Sequence, residues 1–413
     1  MVKNMKLLII SHCAPYDTVG TAGEKTHNYY LKFFSKQSDI DVRLITVCKS
    51  TDVEKLDLDS YGIKSQILIE NQCKFVSFKR KFIRAISLIF NPNDKYANFV
   101  SKERQRFFCN AMKRWQITGY TPDCIILEFT HNILLVTKVK EIFPGIPIIG
   151  SSHDVNYKGS YRLWQFEKNP LIKYFRYRQY HNLKQREIEA ILSCDLIVTQ
   201  NVNDIRIFRE NFVLKNKKYV RIVPYYDSYS HLKRISDGKT IIFFGSMGRQ
   251  ENYLSVQWFI EEVFNKLDND MQFVVIGGNP PARLRKYESA RIHITGFLTQ
   301  EEVETYFAKC VCMVAPLLLG SGIKVKILEA FSGGIPVVTN EIGNEGIFAK
   351  DQEQILYCET AQEFIKTLKE ISNTHIDIQH IGVHGKEYVT QQFNLESSRD
   401  TYLSAVRKLV GCE

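Results

Sequence analysis

The chain has 413 residues, 44% of them hydrophobic and 24% charged, which indicates a folded protein that is too long for one ordinary domain core. No apolar run approaches about 18 residues, so no transmembrane helix is predicted. The ten cysteines show no metal or disulfide spacing, and we expect them to be reduced in a cytoplasmic protein. The net charge of +10 favours an anionic partner: a nucleic acid, a membrane surface or a phosphorylated substrate.

The first half of the chain opens with a strand, a glycine-containing loop and a helix. These are predicted at Lys6–His12, Cys13–Gly23 and Glu24–Gln37. The loop lacks the G-x-G-x-x-G dinucleotide fingerprint, and its Gly20 and Gly23 either shape a turn or let the backbone approach a ligand. Further strands are predicted at Asp41–Cys48, Cys124–Glu128, Ile146–Ser151, Asp195–Thr199 and Tyr219–Val223, and further helices at Asn93–Trp115, His131–Phe143 and Leu171–Leu192.

Two basic segments of this half carry aromatic or aliphatic residues between their cations. On a helix, Cys73–Phe90 is amphipathic and basic, a pattern typical of a membrane-surface helix and equally of a core-facing helix with a solvated basic side. Leu171–Leu192 is long, basic and aromatic. It is expected either to lie against phosphates or lipid headgroups, or to pack its tyrosines as a solvated helix. An anionic membrane surface is therefore one candidate partner.

His153 and Asp154 follow the predicted strand Ile146–Ser151 directly. In an open α/β sheet, functional groups lie just past the carboxyl ends of the strands. A histidine there can act as a general base or hydrogen-bond an acceptor hydroxyl, although a lone histidine is often a structural loop cap. Both interpretations remain open from the residues alone.

The segment Pro224–Gly238 loses periodicity and gathers turn formers, which predicts an interdomain linker. Alternation of strands and helices resumes after it, so each half is expected to be a doubly wound α/β layer, the two facing one another across a cleft. The predicted strands here are Thr240–Gly245, Gln272–Gly277, Ile292–Thr295 and Ile355–Cys358. The predicted helices are Leu254–Leu267, Glu301–Lys309 with a Thr299/Glu302 capping box, a helix from about Ala361, and Leu395–Leu409.

The most informative stretch of the second half runs from Val311 to Gly346. Strand Val311–Pro316 is followed by the glycine loop Gly320-Ser321-Gly322 and by a helix at Ile323–Ser332, for which Ser321 is the expected N-cap. Gly333-Gly334 and Pro336 end that helix before strand Ile335–Thr339. A helix N-terminus with bare amides at the carboxyl edge of a parallel sheet predicts a phosphate or diphosphate site.

Three charged side chains accompany this predicted anion site. Lys326 and Glu329 are three residues apart and so share one helix face, and Lys324 lies nearer the helix start. The lysines can neutralise phosphate charge, and the carboxylate can accept hydrogen bonds from a ribose. The alternative is a solvated Lys326–Glu329 surface pair with no role in binding.

The segment L-L-L-G-S-G-I-K-V-K-I-L-E-A-F-S-G-G-I-P-V-V-T-N-E-I-G-N-E-G-I resembles the donor-binding signature of GT-B glycosyltransferases, specifically family 4. The segment I-I-F-F-G-S-M-G-R-Q-E-N-Y-L-S-V-Q-W-F is similar to the opening of the second domain in a bacterial subfamily. The resemblance is dense over about Ile241–Gly346. It is loose in the first half, where G-T-A-G-E-K-T-H-N-Y-Y-L and S-H-D-V resemble the family's glycine loop and histidine-bearing loop.

The resemblance implies a GT-B fold in which 1–224 is an acceptor domain, 225–238 a linker and 239–394 a nucleotide-sugar donor domain. The helix in 395–413 would cross back to the first domain. By the same resemblance the enzyme moves a sugar from a nucleotide sugar to an acceptor hydroxyl with retention, as hexosyltransferases of this type do, and needs no metal or other cofactor.

The resemblance also implies roles for individual residues. Glu329 would hold the ribose, and Lys324 or Lys326 would offset the leaving-group charge. His153 would lie near the reacting sugar, with Asp154 and the loop glycines on the acceptor side. The donor-binding set is Gly245, Arg249, Gly320, Ser321, Gly322, Lys324, Lys326 and Glu329; the catalytic set is His153, Lys326 and Glu329; the acceptor-side set is Gly20, Gly23, His153 and Asp154.

Two positions depart from the family pattern. The first glutamate of the family's pair is Ser321 here, eight residues before Glu329, so the donor sugar is left open. Arg249 of the usual arginine–lysine pair is present, but no lysine follows it at the expected distance.

Three functions are therefore weighed. The first is a cytoplasmic glycosyltransferase, placed on the inner face of the membrane, that acts on a glycan or lipid-linked acceptor in cell-surface polysaccharide synthesis. The second is a non-hydrolysing nucleotide-sugar epimerase of the same fold. The third is a basic protein that binds nucleic acid or a membrane without catalysis, against which no helix-turn-helix, zinc or RNA-binding signature appears.

Overall fold

A seven-stranded parallel sheet organises the first half of the chain. The computed structural model describes residues 4–70 and 100–412. The strand order is β3-β2-β1-β4-β5-β6-β7, so the chain reverses its direction of winding between β1 and β4. The strands are β1 Met5–Ile10, β2 Ile40–Lys49, β3 Lys64–Glu70, β4 Cys124–Glu128, β5 Ile148–Ser152, β6 Leu196–Thr199 and β7 Tyr219–Arg221.

Helices cover both faces of this sheet, because alternate residues of the buried strands are apolar on both sides. Leu8 and Ile10 of β1 belong to one core cluster, while Leu7 and Ile9 belong to another. The helices are α1 Ala22–Ser35, α2 Lys102–Ile117, α3 Thr130–Ile133, α4 Val136–Ile142, α5 Asn156–Phe166, α6 Pro170–Ser193 and α7 Val202–Glu210.

Two differences from the predicted elements lie in the first half of the chain. α1 begins earlier than predicted because Thr21 and Glu24 form a capping box. The single helix predicted over His131–Phe143 is wrong: it is split into α3 and α4, and the buried side-chain amide of Asn132 in α3 donates to the carbonyl oxygen of Glu128. The segment Cys73–Phe90 and the start of the helix predicted from Asn93 lie outside the described residues.

A six-stranded parallel sheet organises the second half, in the order β10-β9-β8-β11-β12-β13. Its winding reverses between β8 and β11. The predicted α/β class with two doubly wound parallel sheets is confirmed, as is the Thr299/Glu302 capping box. The strands are β8 Thr240–Phe244, β9 Gln272–Ile276, β10 Ile292–Gly296, β11 Cys312–Ala315, β12 Val337–Thr339 and β13 Leu356–Tyr357; the helices are α8 Gln250–Glu262, α9 Ala282–Arg285, α10 Gln300–Lys309, α11 Val325–Ser332, α12 Glu341–Asn344, α13 Ala361–Ser372 and α14 Ile378–Gln392.

The chain divides into two compact units. Unit 1 runs to Tyr225 and resumes at Leu395, and unit 2 runs from Tyr226 to Asn394. The last helix, α15 (Leu395–Val410), packs within unit 1, where the Tyr402 ring lies 5.0 Å from the Phe34 ring. Most of the segment predicted as a linker packs within unit 2, where the Tyr229 backbone amide donates to the Ser332 hydroxyl. In the described part of the chain, no helix is long and apolar enough to cross a membrane.

Candidate functional site

The carboxyl ends of β8 and β11 form the switch point of unit 2, where open α/β sheets bind ligands. Lys326 of α11 reaches this point and donates from Nζ to Oδ1 of Asn252 at 2.6 Å. The amide of Asn252 in turn donates to the carbonyl oxygen of Ser246 at 2.8 Å. Gly245 ends β8 with a φ of 149°, and a Cβ on it would lie 2.9 Å from the Lys326 ammonium. The Lys326 side chain therefore lies beside the backbone of Gly245 at the switch point of unit 2.

The environment of Lys326 disfavours its charged form. Burial lowers its pKa to about 7, and the neighbouring Arg249 and Lys324 charges act in the same direction. The Glu251 and Glu329 carboxylates oppose this shift. The ammonium also lies 4.5 Å from the centre of the Phe243 ring. A bound anion would supply the counter-charge that this lysine lacks.

The loop before α11 differs from the prediction. α11 begins at Val325, its N-cap is Lys324, and no side chain caps it, so Ser321 is not the N-cap. Gly320 and Gly322 lie in the preceding loop with φ of 118° and 71°, because only glycine adopts these conformations readily. The amides of this glycine loop are therefore separate from the helix end.

Lys324 holds that glycine loop. Its ammonium donates to the carbonyl oxygen of Gly322 at 2.6 Å and lies 3.8 Å from the Glu345 carboxylate. Both side chains of this ion pair are almost completely buried. Lys324 is thus engaged with loop and carboxylate, while the Lys326 ammonium reaches the end of β8.

The two remaining donor-site candidates are placed differently. Glu329 is 7% exposed on α11, so the alternative of a solvated Lys326–Glu329 surface pair is wrong. Arg249 is largely exposed and pairs with Glu251. Among the predicted donor residues, the structure thus brings Gly245 and Lys326 into direct proximity, with Glu329 and Arg249 close enough to influence the lysine's pKa.

In unit 1, His153 forms a buried pair with a carboxylate that ends the neighbouring strand. Its Nε2 lies 2.5 Å from Oε1 of Glu128. Because a carboxylate only accepts, Nε2 carries a proton, and in the neutral ring Nδ1 is the lone-pair nitrogen. Burial by itself raises the pKa of Glu128, but the hydrogen bond and charge of His153 outweigh it and the net pKa is lowered. Among the described residues, Nδ1 of His153 has no hydrogen-bond partner.

Phe129 fixes the plane of the His153 ring. The two rings stack with centroids 4.2 Å apart. Phe129 has a φ of 71°, a strained conformation for a bulky residue of the kind found at functional sites. The strain and the stacking together hold the imidazole at the carboxyl edge of the sheet.

Three further histidines surround this pair. The His12 ring lies 4.2 Å from Phe129, and the His131 ring lies 5.7 Å from His12. Burial lowers the pKa of His12 to about 3 and that of His27 to about 4, and it also lowers the pKa of His131. These rings are neutral near pH 7, so they act as dipolar hydrogen-bonding groups rather than as cations.

The predicted acceptor-side residues are only partly brought together. A Cβ on Gly23 would lie 3.4 Å from Nδ1 of His153, so this glycine leaves room beside the imidazole. Gly20 has open space around it. The Asp154 carbonyl oxygen accepts from the hydroxyl of Thr130 at 2.8 Å. In the described ranges, no group of three or more His, Cys, Asp or Glu side chains is placed to hold a metal ion, and the prediction that no metal is needed stays a prediction.

Several residues of both sites carry no local signal in the sequence. Glu128 and Phe129 were visible only as the end of a strand, and His12 as the end of another. The order of the strands brings them together, since β4 lies between β1 and β5 in the sheet, although β2 and β3 separate it from β1 in the chain. Asn252 was missed because nothing local indicates that it accepts from a lysine 74 residues later.

Residues 238–374 match the family model Glyco_trans_1_4, described as "Glycosyl transferases group 1". This part of the chain is therefore similar to a group 1 glycosyltransferase domain. It contains the Gly245–Asn252–Lys326 cluster and the glycine loop. A curated Klebsiella pneumoniae relative, an uncharacterized 44.6 kDa protein in the cps region, is 21% identical over 164 residues. The match covers 37% of this chain and 42% of that relative, so the chain matches less than half of the relative's length.

Solved glycosyltransferase structures share the fold over almost the whole chain. Sucrose-phosphate synthase from Thermosynechococcus elongatus has a TM-score of 0.72 at 13% identity, with 99% of this chain and 100% of that chain covered. The lipopolysaccharide outer core galactosyltransferase WaaB has a TM-score of 0.62 at 12% identity, with 98% and 99% covered. Anabaena HepE in complex with UDP-glucose has a TM-score of 0.61 at 11% identity, with 98% and 100% covered. The fold that this chain shares with these structures is thus GT-B.

We expect Gly245→Ala to weaken nucleoside-diphosphate binding about tenfold, because its methyl group would displace the Lys326 ammonium and the Asn252 amide. The left-handed φ adds strain of about 1–2 kcal/mol. The matched control is Gly296→Ala, which has a φ of 77° and only an ordinary contact with Arg285. Isothermal titration and thermal unfolding measure both effects. Equal loss of affinity in the two variants would contradict the placement of the site.

Proposed function

We propose that this protein is a retaining glycosyltransferase that moves a sugar from a nucleotide-sugar donor to a hydroxyl of a glycan or lipid-linked acceptor. The observation that carries the proposal is the Lys326 ammonium beside Gly245 at the switch point of unit 2. HepE, a neighbour of the same fold, binds UDP-glucose, which supports a nucleotide sugar as the ligand class. The family 4 resemblance supports retention.

The chemistry requires charge stabilisation at the leaving group. The bond between the anomeric carbon and the β-phosphate oxygen breaks, the acceptor oxygen bonds to that carbon, and the acceptor proton passes to the departing diphosphate oxygen. Negative charge grows on the departing diphosphate, and a preorganised cation stabilises it. We assign this role to Lys326, with the glycine-loop amides as further donors. Glu329 accepts from the ribose hydroxyls, and no metal takes part.

Unit 1 holds the acceptor in this proposal. With Glu128 bonded to Nε2, His153 presents Nδ1 toward the space that Gly23 leaves open. A lone-pair nitrogen there accepts a hydrogen bond from a sugar or acceptor hydroxyl. Asp154 lies in the same loop. The Glu128 carboxylate orients the imidazole and stabilises it when it gains positive charge.

The biological setting we propose is cell-surface polysaccharide synthesis. The curated relative is named for a cps region, and WaaB is named as a lipopolysaccharide galactosyltransferase. Neither name identifies the donor sugar or acceptor of this chain. We place the enzyme in the cytoplasm at the inner face of the membrane, where lipid-linked acceptors are presented.

Thermal-shift screening against UDP, GDP, ADP, CMP and their sugars tests the donor assignment, because a ligand of the native state raises its melting temperature. We expect Glu329→Ala to lower the affinity for the selected nucleotide about tenfold or more by removing the ribose acceptor. Isothermal titration of both proteins measures this loss. The control is Glu304→Ala on α10, remote in sequence from the glycine loop.

Three results would contradict the proposal. A panel without any thermal shift or hydrolysis would remove nucleotide sugars as ligands. Unchanged affinity in Glu329→Ala would remove this residue from the ribose site. Formation of a 2-epimer from the donor in the absence of acceptor would assign an epimerase in place of a transferase.

A further inference from the structure

A helical hairpin of unit 1 concentrates the exposed large apolar side chains of the molecule. It consists of α5, the turn after it and the part of α6 up to Arg186, residues 156–186, and is called the basic hairpin below. Of the eighteen exposed large hydrophobic side chains among the described residues, seven lie in it. The most exposed is Leu171, with 73% of its surface accessible. The seven are Tyr161, Phe166, Leu171, Ile172, Tyr174, Phe175 and Tyr177.

The basic hairpin also has a large positive net charge. Residues 156–186 contain eight lysines and arginines and a single acidic residue, Glu167, which is a net charge of +7 out of +10 for all 413 residues. Arg176 lies 3.1 Å from the Glu167 carboxylate. The single negative charge is therefore already matched within the hairpin, and the remaining lysines and arginines lie in the same segment as the exposed apolar side chains.

The outer half of the hairpin is stiffened by its own aromatic residues and not by the sheet. Trp164 stacks on Tyr180 with centroids 5.9 Å apart and meets Tyr177 edge-on at 5.1 Å. The buried residues of α6 begin only at Leu183, which joins the core cluster of unit 1. The segment Pro170–Tyr177 thus presents a preformed surface that is rigid, apolar and cationic.

We propose that the basic hairpin docks unit 1 on an anionic lipid bilayer. Tyrosine and tryptophan rings favour the headgroup level of a membrane, and Leu171, Ile172 and Phe175 can bury in the acyl boundary. Each lysine or arginine near the surface adds attraction to anionic headgroups. The apolar side chains favour a lipid surface over a nucleic acid or another soluble polyanion, which would match the charge alone.

The hairpin is attached beside the candidate acceptor residues. α5 begins three residues after His153, and the Glu187 carboxylate of α6 accepts from the backbone amides of Asn156 and Tyr157 at 3.2 Å. At about 1.5 Å per residue, the eleven residues of α5 span about 16 Å. A membrane bound by the hairpin tip would therefore hold an acceptor headgroup within about one helix length of His153.

Co-sedimentation with vesicles tests this surface. The full chain should bind vesicles of phosphatidylglycerol and phosphatidylethanolamine, bind phosphatidylcholine vesicles at least tenfold more weakly, and lose affinity as ionic strength rises. The triple variant Leu171→Ser, Ile172→Ser, Tyr174→Ser should lose at least tenfold in partition coefficient. The double variant Lys168→Gln, Lys173→Gln should lose about fivefold for each lysine.

Matched variants distinguish binding by this surface from nonspecific adsorption to vesicles. The triple control Ile117→Ser, Phe212→Ser, Val213→Ser removes equally large exposed side chains elsewhere in unit 1, and Lys113→Gln, Lys138→Gln removes two exposed lysines. Both controls should bind like the wild type. A Leu171→Trp reporter should be quenched by brominated lipid, and a Phe212→Trp reporter should not.

Several outcomes would overturn the proposal: no binding to anionic vesicles, equal losses in the controls, quenching of both tryptophan reporters, or binding to soluble polyphosphate in place of vesicles. The assay contains neither donor nor acceptor, so its result is independent of the glycosyltransferase proposal. Circular dichroism of each variant verifies that the fold is retained.

Discussion

The Lys326→Met variant is expected to bind nucleoside diphosphates 10- to 100-fold more weakly and yet to be more stable than the wild type. The lost affinity is that of a charge-assisted hydrogen bond to phosphate. The gain in stability arises because burial opposes the charge of this lysine, lowering its pKa to about 7. Methionine has a similar volume and no charge. We expect the free energy of unfolding at pH 7 to rise by about 1 kcal/mol after the loss of the bond to Asn252.

The pH dependence of this effect has a defined sign. An unfolded lysine titrates near 10.5, so between about pH 7 and 10.5 the unfolded state binds the extra proton. The destabilisation by Lys326 is therefore complete below about pH 7 and disappears as the pH rises toward 10.5. The stability difference between variant and wild type should shrink over this range, as measured by urea unfolding at several pH values.

Nucleotide binding should also take up a proton at Lys326. A bound diphosphate raises the lysine pKa, so at pH 8 about 0.9 proton is expected to be absorbed per nucleotide bound. Titration calorimetry in buffers of different ionisation enthalpy measures this number. The affinity should fall as the pH rises above 7.

Lys324→Met is the matched control for Lys326→Met. Lys324 bonds the Gly322 carbonyl oxygen and pairs with the buried Glu345, so its removal leaves a buried carboxylate without that partner and should lower stability. Opposite signs of the change in melting temperature are thus expected for two lysines that are two residues apart. Destabilisation by both changes, with nucleotide affinity intact in Lys326→Met, would refute the assigned role of Lys326.

Glu128→Gln is expected to lower kcat 10- to 100-fold while the donor KM stays within about twofold. The Glu128 carboxylate orients the His153 ring and stabilises positive charge on it. A neutral amide does not stabilise that positive charge. In our assignment the donor is bound by unit 2, so its KM should be spared. The measurement is steady-state release of nucleoside diphosphate from the nucleotide sugar that the thermal-shift panel selects, over pH 5–9. A fall in affinity without a fall in kcat would refute the positioning role.

The stability of this variant also depends on pH. The pKa of Glu128 is lowered in the folded state, so the carboxylate stabilises the fold above its ordinary pKa of 4.5, and this stabilisation is lost as pH falls through the folded value. Glu128→Gln should therefore be destabilised at pH 7 and approach the wild type in acid.

Glu187→Gln is the matched control for Glu128→Gln. This carboxyl is also buried, but burial and the Asp154 charge raise its pKa well above the ordinary value. Because its charged form is disfavoured, replacement by a neutral amide should leave stability at pH 7 unchanged or raised, and kcat near that of the wild type. A kcat loss in this variant as large as in Glu128→Gln would show that any buried carboxylate at the base of α5 has the same effect.

Local patterns in the chain were sufficient for the architecture. Apolar runs such as Cys124–Glu128 form strands within a residue or two of their predicted bounds, and the Thr299/Glu302 capping box is where the residues indicate it. Apolar periodicity and capping boxes depend on residues only a few positions apart, so the same local structure forms in the folded protein. No helix was predicted at α5. The backbone amides at its start donate to the carboxylate of Glu187, which belongs to the later helix α6 and is not a local signal.

The amino-acid sequence by itself thus determined the two parallel sheets and the resemblance of the second half to glycosyltransferases, since periodicity and the glycine and proline stops act locally. Only the tertiary structure decided which side chains work together: Lys326 with Asn252, and His153 with Glu128. One physical reason is that the order of strands in the sheet, and not their order in the chain, places the carboxyl ends of strands side by side. The other is that burial away from water changes the pKa of an ionisable side chain. For the same reasons, the serine expected to cap α11 lies outside that helix.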